Sequence, residues 1–303
     1  MILAIDIGGT SAKMGLLKET GAFLAKTEVS VSFDNYRTPI LDTVVLAAGR
    51  FLTDQHAEIR GIAVSATGQV DTAKGAVVGT NGKIPNYEGA GIREILEACF
   101  SVPVWVLNDA NAAALGECFL GAGKGYRHVL MVTLGTGVGG GLVLDGRIYG
   151  GSRGLAGELG HFTLYQDGMP CACGKRGCYE CYASASALVR RAGAENGRIL
   201  FERVRAGDSD AESALNAWLD DVAAGLTGLI HIFNPELVLI GGGVSAQEEL
   251  LIEPLRRRVL SGVMPRFSEG LILRRAVLGN DAGMIGALRF WLDQEQGEHR
   301  EGE

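Results

Sequence analysis

The chain has 303 residues, 45 of them glycine, about one in seven and twice the usual share of roughly 7%. With only 7 prolines, 47% apolar residues and no Gly-X-Y period, it is neither collagen nor low-complexity disorder, and its length suggests about two domains that fold without disulfides. A net charge of −7 argues against a nucleic-acid backbone or an anionic membrane surface as partner.

The N-terminus has no basic leader and meets Asp6 early, so it reads as a first strand, Leu3 to Ile7, rather than a signal peptide. The turn Gly8-Gly9-Thr10 follows, then strands Ala12 to Leu17 and Phe23 to Val31, a three-strand meander. Helix is expected over 40–52 and 91–99, and buried strand over 59–64 and 103–107. Asn108-Asp109 opens an alanine-rich helix through Phe119. A second meander begins at Val129 to Leu134, turns at Gly135-Thr136-Gly137, continues over Gly141 to Leu144 and, after Asp145-Gly146, Arg147 to Tyr149. The repetition points to a duplicated α/β core. Beyond residue 184 the chain reads as helical until a strand at Leu237 to Ile240 ends in Gly241-Gly242-Gly243. The last helix is expected from Ala282 to Trp291, with a frayed polar tail after Asp293. The apolar tract Val222 to Val244 is broken by His231, Asn234, Pro235 and Glu236, so no membrane span is expected and the cytoplasm is the default location.

Glycines after a strand let backbone N–H groups approach an anion, and Asp6 beside such a turn can hold Mg²⁺ directly or through water. An ordinary capped hairpin turn would look the same. Gly135 to Gly140 contains a formal G-x-G-x-x-G, but a strand follows where the dinucleotide fingerprint needs a helix, and no Walker A loop occurs in the chain. A β-turn-β phosphate grip is the remaining reading. Asp109 stands at a strand-to-helix junction, as a helix cap, a general base, or both. His161, Cys171, Cys173 and Cys178 form H-x9-C-x-C-x4-C, a closed set for a structural Zn²⁺, with Gly174 and Gly177 supplying tight turns. Cys181 is a spare thiol or a competing ligand. Glu158 lies three residues before His161, on the same side of a helical turn, and Glu180 two after Cys178, where a bound metal would fix its position.

Taken together, Asp6-Ile7-Gly8-Gly9-Thr10, Asn108-Asp109-Ala110-Asn111-Ala112-Ala113, Gly135 to Gly141, Glu158-Leu159-Gly160-His161 and Cys171 to Glu180 resemble the ROK family (repressor, open reading frame, kinase) almost end to end. The resemblance implies an actin-like, hexokinase-type α/β fold of the ribonuclease H-like kind, two lobes with mixed sheets around a cleft. The lobes would be 1–112 with 283–303, and 113–282 with the zinc segment 158–181. It implies transfer of the γ-phosphoryl of ATP to a sugar hydroxyl, with Asp109 as general base. Gly68, Asn108, Glu158, His161 and Glu180 match sugar-binding positions. Asp6 matches the magnesium-associated carboxylate, Gly8-Gly9-Thr10 and Gly135-Thr136-Gly137 the phosphate grips, and Gly241-Gly242-Gly243 the turn near adenosine. His161, Cys171, Cys173 and Cys178 match the family zinc site.

Glucose, N-acetylmannosamine or a β-glucoside fits as substrate, because two sugar-side stretches depart from the glucose-specific pattern. Gly82-Lys83-Ile84-Pro85-Asn86-Tyr87 stands for Pro-Asn-Leu-Pro-Gly-Trp, putting Lys83 at the usual asparagine with Asn86 as the alternative, and Thr67-Gly68-Gln69 stands for Pro-Gly-Pro. A sugar-sensing regulator is the rival reading, disfavoured by the strand at Ile2, which leaves no room for a DNA-binding domain. A homodimer is common among such relatives.

Overall fold

The computed structural model describes residues 1–80 and 84–301, with side chains to residue 296. It divides into two compact units, the first comprising 1–124, 148–156 and 280–303, the second 125–147 and 157–279.

In the first unit, β1 (Ile2–Ile7), β2 (Ser11–Leu17), β3 (Phe23–Ser30), β4 (Gly61–Ala66) and β7 (Val104–Asn108) form one sheet ordered β3-β2-β1-β4-β7, while β5 (Gln69–Asp71) and β6 (Ala76–Gly79) make a separate hairpin. β1 pairs antiparallel with β2 and parallel with β4, and β4 runs parallel to β7. Every residue of β4 is buried, as expected of a central parallel strand covered on both faces, whereas β3 alternates at the edge. Helices α1 (Ile40–Asp54), α2 (Ile92–Phe100), α3 (Asp109–Leu120) and α10 (Ala282–Glu301) accompany the sheet. Leu3, Ile5, Val44, Ile62, Val64, Leu96 and Val106 belong to one core.

The second unit repeats the plan. β8 (Val129–Leu134), β9 (Val138–Leu144), β10 (Arg147–Ile148), β11 (Leu237–Gly241) and β12 (Ile272–Arg275) are ordered β10-β9-β8-β11-β12, with β8 antiparallel to β9 and parallel to β11, and β11 parallel to β12. Asp145 and Gly146, with φ of 53° and 76°, make the primed turn that the Asp-Gly pair favours. Helices α4 (Glu180–Ala183), α5 (Ala185–Arg191), α6 (Gly197–Arg205), α7 (Ser209–Phe233), α8 (Glu253–Gly262) and α9 (Pro265–Ser268) complete the unit, around a core that includes Leu130, Leu215, Trp218, Leu226 and Ile240. The duplicated core inferred from the meanders is thus a duplicated sheet order. Among the described residues no helix is long and apolar enough to cross a membrane.

Several boundaries differ from the sequence reading. Helix α3 stays whole in the first unit, which therefore continues to Lys124 rather than 112 and takes in 148–156. The reason is α10, which packs along α3 so closely that a Cβ on Gly286 would lie 1.6 Å from Ala112 O, and one on Gly116 2.3 Å from Ala282 O. These two glycines serve helix contact, not a ligand. Gly286→Ala should gain up to about 1 kcal/mol in helix propensity yet lose more to backbone overlap, for a net loss of about 2 kcal/mol or more. Chemical denaturation showing an unchanged or stabilised variant would contradict that packing. Helix α10 also continues through the tail expected to fray after Asp293, and β9 begins at Val138, inside the glycine run.

Candidate active site

Parallel pairing sets the site of the first unit. Asp6 on β1 lies opposite Ser65 on β4, and Ala66 opposite Asn108 on β7, so the carboxyl ends of three parallel strands deliver Asp6, Thr67, Asn108 and Asp109 to one edge of the sheet. Ligands of open α/β sheets bind at that edge. Ser65 Oγ donates to Asp6 Oδ1 at 2.6 Å, and burial pushes the Asp6 carboxyl above its usual range against that bond and Lys13. Gly283, early in α10, is small for this reason, since a Cβ there would stand 2.9 Å from both Asp6 Oδ1 and Ser65 Oγ.

Asn108, not Asp109, is the N-cap of α3. Its Oδ1 accepts from the N–H groups of Ala110 and Asn111, and its Nδ2 donates to Gly68 O at 2.8 Å and to Asp109 Oδ1 at 2.9 Å. All four hydrogen-bonding positions of this amide are thereby used inside the protein. Asp109, first residue of the helix, also accepts from Ala110 N–H at 2.8 Å. Burial pushes its carboxyl up to about 6, helped by the Asp6 charge and opposed by bonds from Ala110, Thr67 and Asn108. Gly68 holds φ of 91°, and a Cβ there would meet Gly79 O at 2.8 Å.

The glycine turn after β1 is braced by contacts the sequence does not announce. Gly8 N–H donates to Ser11 O at 2.9 Å, Val31 N–H to Thr10 O at 3.0 Å, and the Tyr36 hydroxyl to Gly9 O at 2.8 Å. Tyr87, where the resembling pattern has tryptophan, is fully buried, its hydroxyl has no hydrogen-bond partner among the described residues, and desolvation first, then the charges of Asp109 and Asp6, raise its pKa. Lys83 and Gly82 lie outside the described residues. Asn86 is exposed, with φ of 58°, and its Nδ2 is 3.5 Å from Tyr36 O.

In the second unit, Gly135 N–H donates to Gly137 O at 3.0 Å, closing the turn between β8 and β9. A cavity of about 640 Å³ opens beside it, lined by Gly135, Thr136, Phe201, Arg205, Gly243 and Val244 among others. It thus brings together two turns separated by more than a hundred residues. Gly241 and Gly242 shape the second turn: Gly241 closes β11 against Met131, and Gly242, at φ of 89°, approaches Leu134 O too closely for any Cβ. Nothing in local sequence marks Phe201 or Arg205, which arrive on α6.

Glu158, His161 and Glu180 sit around the loop that carries the cysteines. His161 ends a single 3₁₀ turn, with Nε2 3.9 Å from Glu158 Oε2 and Nδ1 3.7 Å from Cys171 Sγ. Cys173 Sγ and Cys178 Sγ are 3.5 Å apart, and the four candidate ligand atoms all lie within 4.8 Å of one another. A tetrahedron with Zn–S of about 2.3 Å has edges of about 3.8 Å, so the donor set fits that ion. The backbone N–H of Lys175 is the main influence lowering the Cys173 thiol, favouring the thiolate a metal binds. Cys181 lies outside the set, its Sγ turned to Pro170 O at 3.6 Å. Gly177 is obligatory: its φ is 75°, and any Cβ would overlap Tyr165 O. Tyr165 in turn donates to Asp221 Oδ1 at 2.6 Å, and Arg191 pairs with Asp221 Oδ2 at 2.5 Å, fastening the loop to α7.

The pattern of the ROK family matches residues 2–294. A glucokinase from Halalkalibacterium halodurans is 33% identical over 97% of this chain and 95% of its own. Among solved structures, a ROK family glucokinase from Streptomyces griseus in complex with glucose and AMPPNP superposes with a TM-score of 0.78 at 30% identity, covering 95% of this chain and 98% of that one. A ROK hexokinase from Thermus thermophilus gives 0.82 at 34%, covering 97% and 99%.

Proposed function

The chain belongs to the ROK family and has its actin-like fold, and from that premise we propose that it is an ATP-dependent hexose kinase acting on O6 of an aldohexose or N-acylhexosamine. The observation that carries the assignment is Asp109, a carboxylate at the carboxyl ends of parallel strands whose pKa is pushed up to about 6. A base poised near the operating pH is what removal of a hydroxyl proton asks for.

In the reaction, the sugar oxygen attacks the γ-phosphorus, the bond to the bridging oxygen of ADP breaks, and the hydroxyl proton passes to Asp109. Asn108 holds that carboxylate from one side and the Gly68 carbonyl from the other, so its contribution includes aiming the base and the loop. With the Gly8 and Gly135 N–H groups spent on closing their own turns, the backbone N–H groups of Gly9 and Thr10 and of Thr136 and Gly137 bind phosphates, and the cavity beside Thr136 takes the nucleoside. Asp6 would hold the Mg²⁺ that accompanies ATP, and that ion would supply charge neutralisation on the phosphates. Glu158, His161 and Glu180 bind sugar hydroxyls, and a Zn²⁺ on His161 Nδ1, Cys171, Cys173 and Cys178 would fix them in place. With Nδ1 committed to the cluster, His161 presents Nε2 on the side of Glu158. The same reading takes the enzyme to be a cytoplasmic homodimer.

The sugar is tested by coupled ADP release over glucose, mannose, N-acetylmannosamine, N-acetylglucosamine, fructose and cellobiose. An aldohexose or N-acylhexosamine is expected to give the highest kcat/KM. The departures at Thr67-Gly68-Gln69 and at Pro85-Asn86-Tyr87 keep a β-glucoside as the second reading, which a preference for cellobiose would establish.

A further inference from the structure

The residues just after the last cysteine do more than follow the metal loop. Tyr179 is fully buried, its N–H donating to Phe162 O at 2.9 Å and its hydroxyl to Val222 O at 2.8 Å, so the chain leaving Cys178 is anchored at both backbone and side chain. The next residue, Glu180, sends its carboxylate onto the glycine turn, where Oε2 accepts from Val138 N–H at 3.0 Å. Five residues on, Ala185 N–H donates to Gly135 O at 2.9 Å. The segment 180–185 therefore grips the turn at both ends. It also explains a glycine, because a Cβ on Gly137 would stand 2.2 Å from Glu180 Oε2. Gly137 has no left-handed φ among the positive values of this chain. Its small size makes room for the carboxylate.

We propose that Glu180 is the positioning residue of the phosphate turn, tying nucleotide binding to the loop that carries His161 and the cysteines. The proposal rests on Gly135 to Gly137 being a phosphate turn. Such a turn works only when its N–H vectors are fixed before the anion arrives. A carboxylate held two residues from Cys178 transmits the order of the cluster to that turn, independently of any sugar.

The test is binding of Mg-ADP by isothermal titration calorimetry in the absence of sugar. Glu180→Ala and Glu180→Asp, neither of which reaches Val138 N–H, are expected to weaken binding about tenfold, whereas Glu180→Gln, whose amide oxygen still accepts that bond, stays within about twofold of the wild type. If the alanine variant fails to fold, the Asp and Gln variants decide the matter between them. Equal affinity of wild type and Glu180→Asp overturns the proposal and leaves the kinase reading untouched. Wild-type protein that binds no nucleotide removes the phosphate turn and the proposal together.

Discussion

Asp109→Asn lowers kcat by about 10²–10⁴-fold while changing the sugar KM little, because the amide keeps the acceptor toward Asn108 and Ala110 but cannot take the proton. The pH dependence carries a specific signature. Wild-type kcat/KM rises through about pH 6 and levels above it, since the carboxylate whose pKa burial has raised must be ionised to act as base. Stability moves the opposite way. A carboxyl with an unfolded value near 3.8 and a folded value of about 6 binds more protons when folded, so between those values stability falls as pH rises. The cost above pH 6 is on the order of 2–3 kcal/mol. Asp109→Asn removes it, so the inactive variant should be more stable than wild type at pH 7.5 and lose that advantage toward pH 4. Urea unfolding at both pH values checks this. A variant no more stable at pH 7.5, with a pH-independent wild-type rate between 5 and 8, would contradict the role of Asp109.

On the proposed zinc site, Cys173→Ser is expected to prevent metal loading and, with it, to weaken sugar binding. Elemental analysis of wild-type protein is expected to give about one zinc per chain, and the serine variant essentially none. His161 belongs to the cluster and Glu158 and Glu180 flank the loop that it closes, so sugar affinity should fall by at least about tenfold, the scale on which metal-site partners act. Zinc-free wild-type protein with undiminished sugar affinity would refute the assignment.

Much of this was legible in the residues because period and punctuation agree. The strands of both meanders, the helix after Asn108 and the candidate set His161, Cys171, Cys173 and Cys178 are local patterns, and the structure brings the four candidate atoms within 4.8 Å of one another. Other features are long-range contacts that local sequence does not encode. β12 has only Ile272 and Leu273 before Arg274 and Arg275, too little alternation to read as a strand, and it forms because β11 offers a parallel partner. The hairpin of β5 and β6 is equally short. Tyr36 and Ser65 brace the first turn and Asp6 from positions 27 and 59 residues distant.

The glycine excess divides in the same way. Gly8, Gly9, Gly135 and Gly243 fit the reading of backbone that meets a ligand, and Gly174 and Gly177 that of a metal loop. Gly116 and Gly286 are packing glycines, Gly283 spares Asp6, and Gly137 spares Glu180. Composition signals that backbone must come close to something. Whether that something is a phosphate, a helix or a carboxylate depends on the long-range packing around each glycine. Asn108 shows the same limit: Asn-Asp before a helix announces a cap and a carboxylate, yet which residue plays which part depends on Gly68, forty residues away.

Transfer of the terminal phosphoryl of ATP to a sugar is read out by incubating the protein with γ-labelled ATP, Mg²⁺ and each sugar of the panel and separating the products. Label is expected in a hexose 6-phosphate in amounts equal to the ADP formed, reduced to near background in Asp109→Asn. No labelled sugar from any member of the panel, with zinc present and nucleotide bound, would contradict this transfer.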